Sequence, residues 1–243
     1  MQEDSPELQV WKQHNTRSTC VLEVGGFRPT GQACASHIGL EPLLAPGEAW
    51  PLDGAGQPMQ FIAQLNLQQA PWLPEALQGL ALLQFFCGEQ FIESGCAPET
   101  WALRLRPSLD GLQPRPQPPF RDRPWVGRGF EARWLAPQDD HPSYDDENMR
   151  LPPGMQEFPE EAHGLCLGRT KLGGYAKSLQ HGISFFAFTE DADGVWQPSP
   201  DEPDYVLQID SEEKAGLNWV DGGIVYLGRH PLTGRWSAHC QFY

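Results

Sequence analysis

The feature that most constrains this chain is a degenerate copy of one strand pattern within it. Phe61-Ile62-Ala63-Gln64-Leu65-Asn66 is followed by Gly79-Leu80-Ala81-Leu82-Leu83, and Tyr205-Val206-Leu207-Gln208-Ile209-Asp210 by Gly223-Ile224-Val225-Tyr226-Leu227. The Gln-to-Gly spacing is 15 residues in both, so the copies superimpose at a constant offset of 144. A Trp lies upstream of each Gln (Trp50, Trp196), and before it a short Gly turn, Ile38-Gly39-Leu40 or Leu172-Gly173-Gly174. Two similar units of this kind pack together to bury what neither buries alone. The pattern therefore predicts a β-rich α+β fold of two quasi-repeated halves packed as one globular unit. A single domain would span residues 1–243, with a first repeat at about 17–106, a connector at 107–124 and a second repeat at about 165–243.

Composition agrees with a packed, turn-rich chain. Gly (25) and Pro (24) together make about a fifth of the 243 residues, which favours short elements over a helical bundle. The nine Trp and twelve Phe argue against disorder, because they supply the large apolar surfaces a core needs. A net charge of −15 argues against nucleic-acid binding, since phosphates are held by Lys and Arg, and suits a basic partner instead. The charge is uneven: residues 101–135 carry seven Arg against three acids, while 189–213 carry nine acids and no Lys or Arg.

Local patterns place the strands. Thr19-Cys20-Val21-Leu22-Glu23-Val24 reads as a strand ended by Gly25-Gly26, and residues 61–67 as another with Gln64 among apolar neighbours. The nearly continuous apolar run 79–87 fits a central strand buried on both faces. Trp101-Ala102-Leu103-Arg104-Leu105-Arg106 alternates as a half-exposed strand does. Residues 107–124 are dense in proline and read as an extended connector without regular structure. Residues 139–159 read as loop or short helix, 130–135 and 183–188 as further strands, and Asp191-Ala192-Asp193-Gly194 as a hairpin turn. Strands at 205–210, 224–228 and 236–242 complete the second repeat.

The six Cys, at 20, 34, 87, 96, 166 and 240, show no CxxC and no pairing rhythm, so free thiols are expected. The acidic start Met1-Gln2-Glu3-Asp4-Ser5-Pro6 has no apolar core of a signal peptide, and no apolar run approaches the ~20 residues of a membrane span. A cytoplasmic protein without a membrane partner is the expectation.

No catalytic constellation stands out. The seven His form no HxH, HExxH or zinc-type cluster, and the Gly turns lack the Gly-Lys-Ser/Thr ending of a phosphate loop. No cofactor and no metal are expected. Gln64 and Gln208, with Asp210 and Asp221, are candidates for polar groups in the core or at the seam between the halves, where a buried amide must find partners. Asp191, Asp193, Asp201, Glu202, Asp204, Glu212 and Glu213 are the candidate acids for contact with a basic partner.

Several stretches together resemble the YwqG-like family, a bacterial domain of unknown function: residues 36–42, Trp50-Pro51, 61–66, 79–86, Lys171-Leu172-Gly173-Gly174-Tyr175, 207–211 and 219–223. There are departures: His37 stands where Lys is usual, Leu40 and Val220 where Gly is usual, and Ala176 where Pro is usual. The lack of a catalytic constellation and the acidic runs favour a non-enzymatic protein-binding module, and the resemblance implies an association with toxin neighbourhoods that sharpens it to the immunity type, masking a basic toxin. The alternative is a small-molecule binder or enzyme with its site at the seam. The two expectations differ in the surface they require: an acidic patch for the first, and a cleft of convergent polar residues that includes Gln64, Gln208, Asp210 or Asp221 for the second.

Overall fold

The computed structural model describes residues 4–120, 125–146, 149–183, 188–190, 196–198 and 203–243. The chain opens with helix α1 (Pro6–His14), whose Ser5 cap accepts a hydrogen bond from the Leu8 backbone. Strands follow: β1 (Arg17–Val24), β2 (Ser36–Ile38), β3 (Leu43–Leu44), β4 (Gln60–Asn66), β5 (Leu82–Cys87), β6 (Trp101–Arg106), β7 (Gln113–Pro114), β8 (Phe130–Trp134) and β9 (Gln138–Asp140). Then come β10 (Lys171–Gly173), β11 (Phe188–Glu190), β12 (Trp196–Pro198), β13 (Asp204–Asp210), β14 (Ile224–Arg229) and β15 (Trp236–Gln241).

An eleven-stranded sheet carries the molecule, in the order β15-β14-β13-β10-β1-β8-β2-β4-β5-β6, with β9 also paired to β1. Every pairing in it is antiparallel. The expectation of an α+β fold built from two quasi-repeated halves is overturned. The described residues hold one α-helix, and one continuous sheet runs through both copies of the strand pattern, so they are not two units packed against each other. The physical reason is β1, which pairs with β10 on one side and with β8 and β9 on the other, joining the chain's two ends by backbone hydrogen bonds.

The sheet curls around one core. Leu22, Ile38, Leu65 and Phe85 share a single buried cluster with Leu172, Ile209, Val225 and Leu227. Trp219, between β13 and β14, meets Phe85 of β5 with ring centroids 6.4 Å apart, although six positions of the sheet order separate β13 from β5. Only a strongly curled sheet brings those strands together, and a right-handed twist accumulated over many strands supplies the curl. The alternate residues Trp101, Leu103 and Leu105 of one edge and Trp236, Ala238 and Cys240 of the other turn into this same core. On the outer face, Leu44 and Met59 cover Phe61 and Phe86, while Leu8 and Trp11 of α1 pack with Ala162.

Three local expectations need amendment. Of the apolar run at 79–87, residues 82–87 form β5, which is buried throughout and lies one strand in from the edge strand β6. The proline-dense connector contributes β7, which pairs with β3. Residues 138–140, at the start of the stretch read as loop or helix, form β9. Of the strand expected at 183–188, residues 184–187 lie outside the described residues, as does the turn at 191–194; β11 and β12 on either side of it pair antiparallel.

Candidate functional site

The paired glutamines are fully buried and fully occupied. Gln64 donates from Nε2 to the carbonyls of Ala33 (3.0 Å) and Ala35 (3.2 Å), and its Oε1 accepts from the Leu43 backbone and from Gln84 Nε2, each at 2.9 Å. Gln84 also donates to the Leu43 carbonyl at 2.8 Å. Gln208 donates to the carbonyls of Arg169 (2.9 Å) and Leu167 (3.4 Å), while its Oε1 accepts from the Lys177 backbone (3.0 Å) and the Tyr205 hydroxyl (3.3 Å). Tyr226 closes that second clamp by donating to the Lys177 carbonyl at 2.6 Å. Both amides hold a crossing loop against the outer face of the sheet, and no donor or acceptor is left to offer a ligand.

The other candidates scatter. Asp221 is exposed in the turn before β14, its carbonyl accepting from the Tyr243 backbone at 3.2 Å. Asp191, Asp193, Asp201 and Glu202 lie outside the described residues. Asp204 is exposed where β13 begins, whereas Glu212 is half-buried and Glu213 exposed beyond its end. Seven strand residues span about 20 Å, so Asp204 and the Glu212–Glu213 pair stand at opposite ends of β13.

Asp210 is different. β10 is only three residues long, and it pairs with β1 at 19–21 and with β13 at 207–208. Past Lys171 the chain stays between them, Thr170 accepting from the Leu22 backbone at 2.9 Å and from the Asp210 backbone at 3.0 Å, and a pocket of about 270 Å³ lies beside the ends of β1 and β13. Leu22, Glu23, Val24, Gly168, Arg169, Thr170, Asp210, Ser211, Glu212 and Lys214 line it. Continuing the two registers by two pairs brings Glu23, Arg169 and Asp210 level with one another. Glu23 is held by Arg133 at 2.6 Å, and Lys214 Nζ donates to the Val24 carbonyl at 2.7 Å. The Glu212 carboxylate accepts from the Lys214 backbone at 3.1 Å.

Neither the Asp210 carboxylate nor the Arg169 guanidinium makes an ion pair among the described residues. Burial pushes the Asp210 carboxyl up to about 7; a hydrogen bond from the Ser211 backbone and the charges of Lys171 and Arg169 oppose that rise, and Glu212 adds to it. The hydroxyls nearby are engaged: Thr170 Oγ1 accepts from the Asp210 backbone at 3.0 Å. Ser211 Oγ accepts from the Trp219 backbone at 3.1 Å and donates to the Gly223 carbonyl at 2.8 Å.

Immediately beyond the pocket lies a charged pair that composition and spacing did not single out. Lys171 and Asp140 are each 0% exposed, with Nζ 2.7 Å from Oδ2. Asp140 also accepts from the backbones of Leu167 and Tyr175, both at 2.9 Å, and so ties β9 to the turn after β10. Gly174, at φ +70°, lets that carboxylate approach: a Cβ there would lie 2.2 Å from Asp140 Oδ2. The Lys-Leu-Gly-Gly-Tyr run was the available signal for Lys171; Asp140, thirty-one residues upstream, had none. Cys166 borders the pair, its Sγ 3.8 Å from Lys171 Nζ, and burial pushes its thiol up to about 11 while Lys171 pulls the other way. The position matching Lys171 in the first copy is His37, buried and paired in register with Glu131; burial holds its imidazole down at about 4.

Among the described residues no three or more His, Cys, Asp or Glu side chains are grouped to hold a metal ion, and no helix is long and apolar enough to cross a membrane. No curated protein matches the chain. Residues 36–228, from β2 almost to the end of β14, match the family described as a domain of unknown function (DUF1963), and the chain belongs to that family.

Proposed function

We propose that this protein is a cytoplasmic, YwqG-like binding module whose ligand is a small polar molecule held in the Asp210 pocket. The observation that carries the reading is a half-buried carboxyl at the end of an internal strand, lining a cavity, with no ion pair among the described residues. A group so placed lowers stability, and such placements concentrate where a ligand later supplies the missing partner. The pocket's hydroxyls are engaged in backbone hydrogen bonds, so no free nucleophile stands beside Asp210, which favours binding over covalent catalysis. A thermal-shift panel of free amino acids, monosaccharides, polyamines and nucleosides tests it. A compound that raises Tm in the natural protein but not in Asp210→Asn supports the reading. A panel in which nothing binds, or a binder indifferent to that substitution, sinks it.

A second reading is a protein-binding module of the immunity type, acting on a basic partner such as a toxin. It is supported by the net charge of −15 and the exposure of Asp204 and Glu213. Affinity capture at low salt tests it: a basic protein lost as salt rises is the expected outcome, and capture that yields no basic protein ends it.

A further inference from the structure

Opposite charges face the same small cavity without meeting. Asp210 ends β13, while Arg169 lies on the segment entering β10, level with it in register. Glu23, the other acid on that level, is taken by Arg133, and Lys214 is turned to the Val24 carbonyl. Asp210 and Arg169 thus both line a space of about 270 Å³, and among the described residues neither is engaged by a partner of opposite charge, while the Glu212 carboxylate is taken by the Lys214 backbone. Guanidinium matches a carboxylate in a two-toothed fork, and a partly buried carboxylate matches an ammonium group.

Resting on the reading that this pocket is the ligand site, we infer that it takes a small zwitterion of the α-amino-acid type, with its ammonium on Asp210 and its carboxylate on Arg169. Supplying both counter-charges at once explains why the two side chains stay apart. A direct Asp210–Arg169 bridge would remove the need for a ligand, whereas their separation leaves room for one. The Thr170 and Ser211 hydroxyls, committed to backbone groups, keep the walls in place rather than competing for the ligand. The cavity accommodates an amino acid but not a folded peptide or a nucleotide.

Calorimetric titration with the free amino acids, and with the N-acetyl and carboxamide forms of any that bind, tests this. The expected result is one or more free amino acids binding, with each capped form weaker by about tenfold or more. Asp210→Asn should weaken the free and carboxamide forms and leave the N-acetyl form unchanged. Arg169→Gln should weaken the free and N-acetyl forms and leave the carboxamide unchanged. Far-ultraviolet circular dichroism confirms that both variants fold. Capped forms that bind as well as free ones overturn the inference. So does a neutral sugar or a polyamine that binds in an Asp210-dependent way when no amino acid does; the pocket then remains the ligand site. If no compound of any class binds, the inference and the reading beneath it fall together.

Discussion

At the scale of single residues, Asp210 and Val220 carry the sharpest consequences. Asp210 is an acid whose folded-state carboxyl lies above its unfolded value of 3.8, at about 7. Below about pH 3 the group is neutral in both states and has no effect; as pH rises toward 7 the unfolded chain loses a proton that the folded one keeps, and stability falls. Asp210→Asn is therefore expected to be more stable than the natural protein by about 2 to 4 kcal/mol at pH 8 and equal to it at about pH 3. Urea denaturation at several pH values measures the difference, and a constant gap across pH would contradict the assignment. Val220 holds φ +61° at an exposed turn, a conformation that suits Gly and strains a β-branched side chain. Val220→Gly should raise stability by about 1 kcal/mol, read as an increased urea midpoint at unchanged slope. The resemblance to a family with Gly here flagged the position beforehand; the strain itself is visible only in the backbone angles.

At the scale of elements, the short strand β10 and its Gly173-Gly174 turn decide the geometry of the site. β10 is three residues long, and beyond it Thr170 and Arg169 line the pocket together with the ends of β1 and β13. The turn is fixed by the buried Asp140 carboxylate, which accepts from the Tyr175 backbone and neutralises Lys171. A methyl group at Gly174 would occupy that carboxylate's place. Gly174→Ala is expected to lower stability by about 3 kcal/mol or more, since it forces a buried ion pair apart. Thermal unfolding checks this; a loss below 1 kcal/mol, roughly the cost of the φ alone, would show that Asp140 moves aside freely. The two glutamines belong to this scale as well. Their periodic place among apolar residues was legible in the sequence, but the loops they clamp come from residues 33–43 in one case and 167–177 in the other, which no local pattern names.

At the scale of the whole molecule, the sheet is one structure with one core. Leu172, Val206, Leu207, Ile209 and Trp219 pack in a cluster with Phe85, Phe91 and Leu65, so the C-terminal strands lose most of their buried apolar partners without the N-terminal ones. A fragment of residues 165–243 is accordingly expected to remain unfolded by circular dichroism and by the narrow dispersion of its amide resonances. The full chain should unfold in a single transition with coincident fluorescence and circular-dichroism curves. A folded fragment, or two separate transitions, would mean that the β1 junction contributes little.

The sequence by itself determined where the longer strands lie. Period-two alternation at β6, the apolar run at β5 and the matched Gln-containing strands β4 and β13 are local properties, readable one segment at a time. It also put forward Gln64, Gln208, Asp210 and Asp221 as polar groups of the core or seam, of which Asp221 is exposed. Only the tertiary structure decided that the two copies share one curled sheet rather than forming separate halves, because that choice depends on β1 finding β8, β9 and β10, more than a hundred residues away. The same holds for the site. Asp210 is joined by Arg169 and Glu23 through strand register, and register is set by pairing and burial across the sheet, not by any motif along the chain.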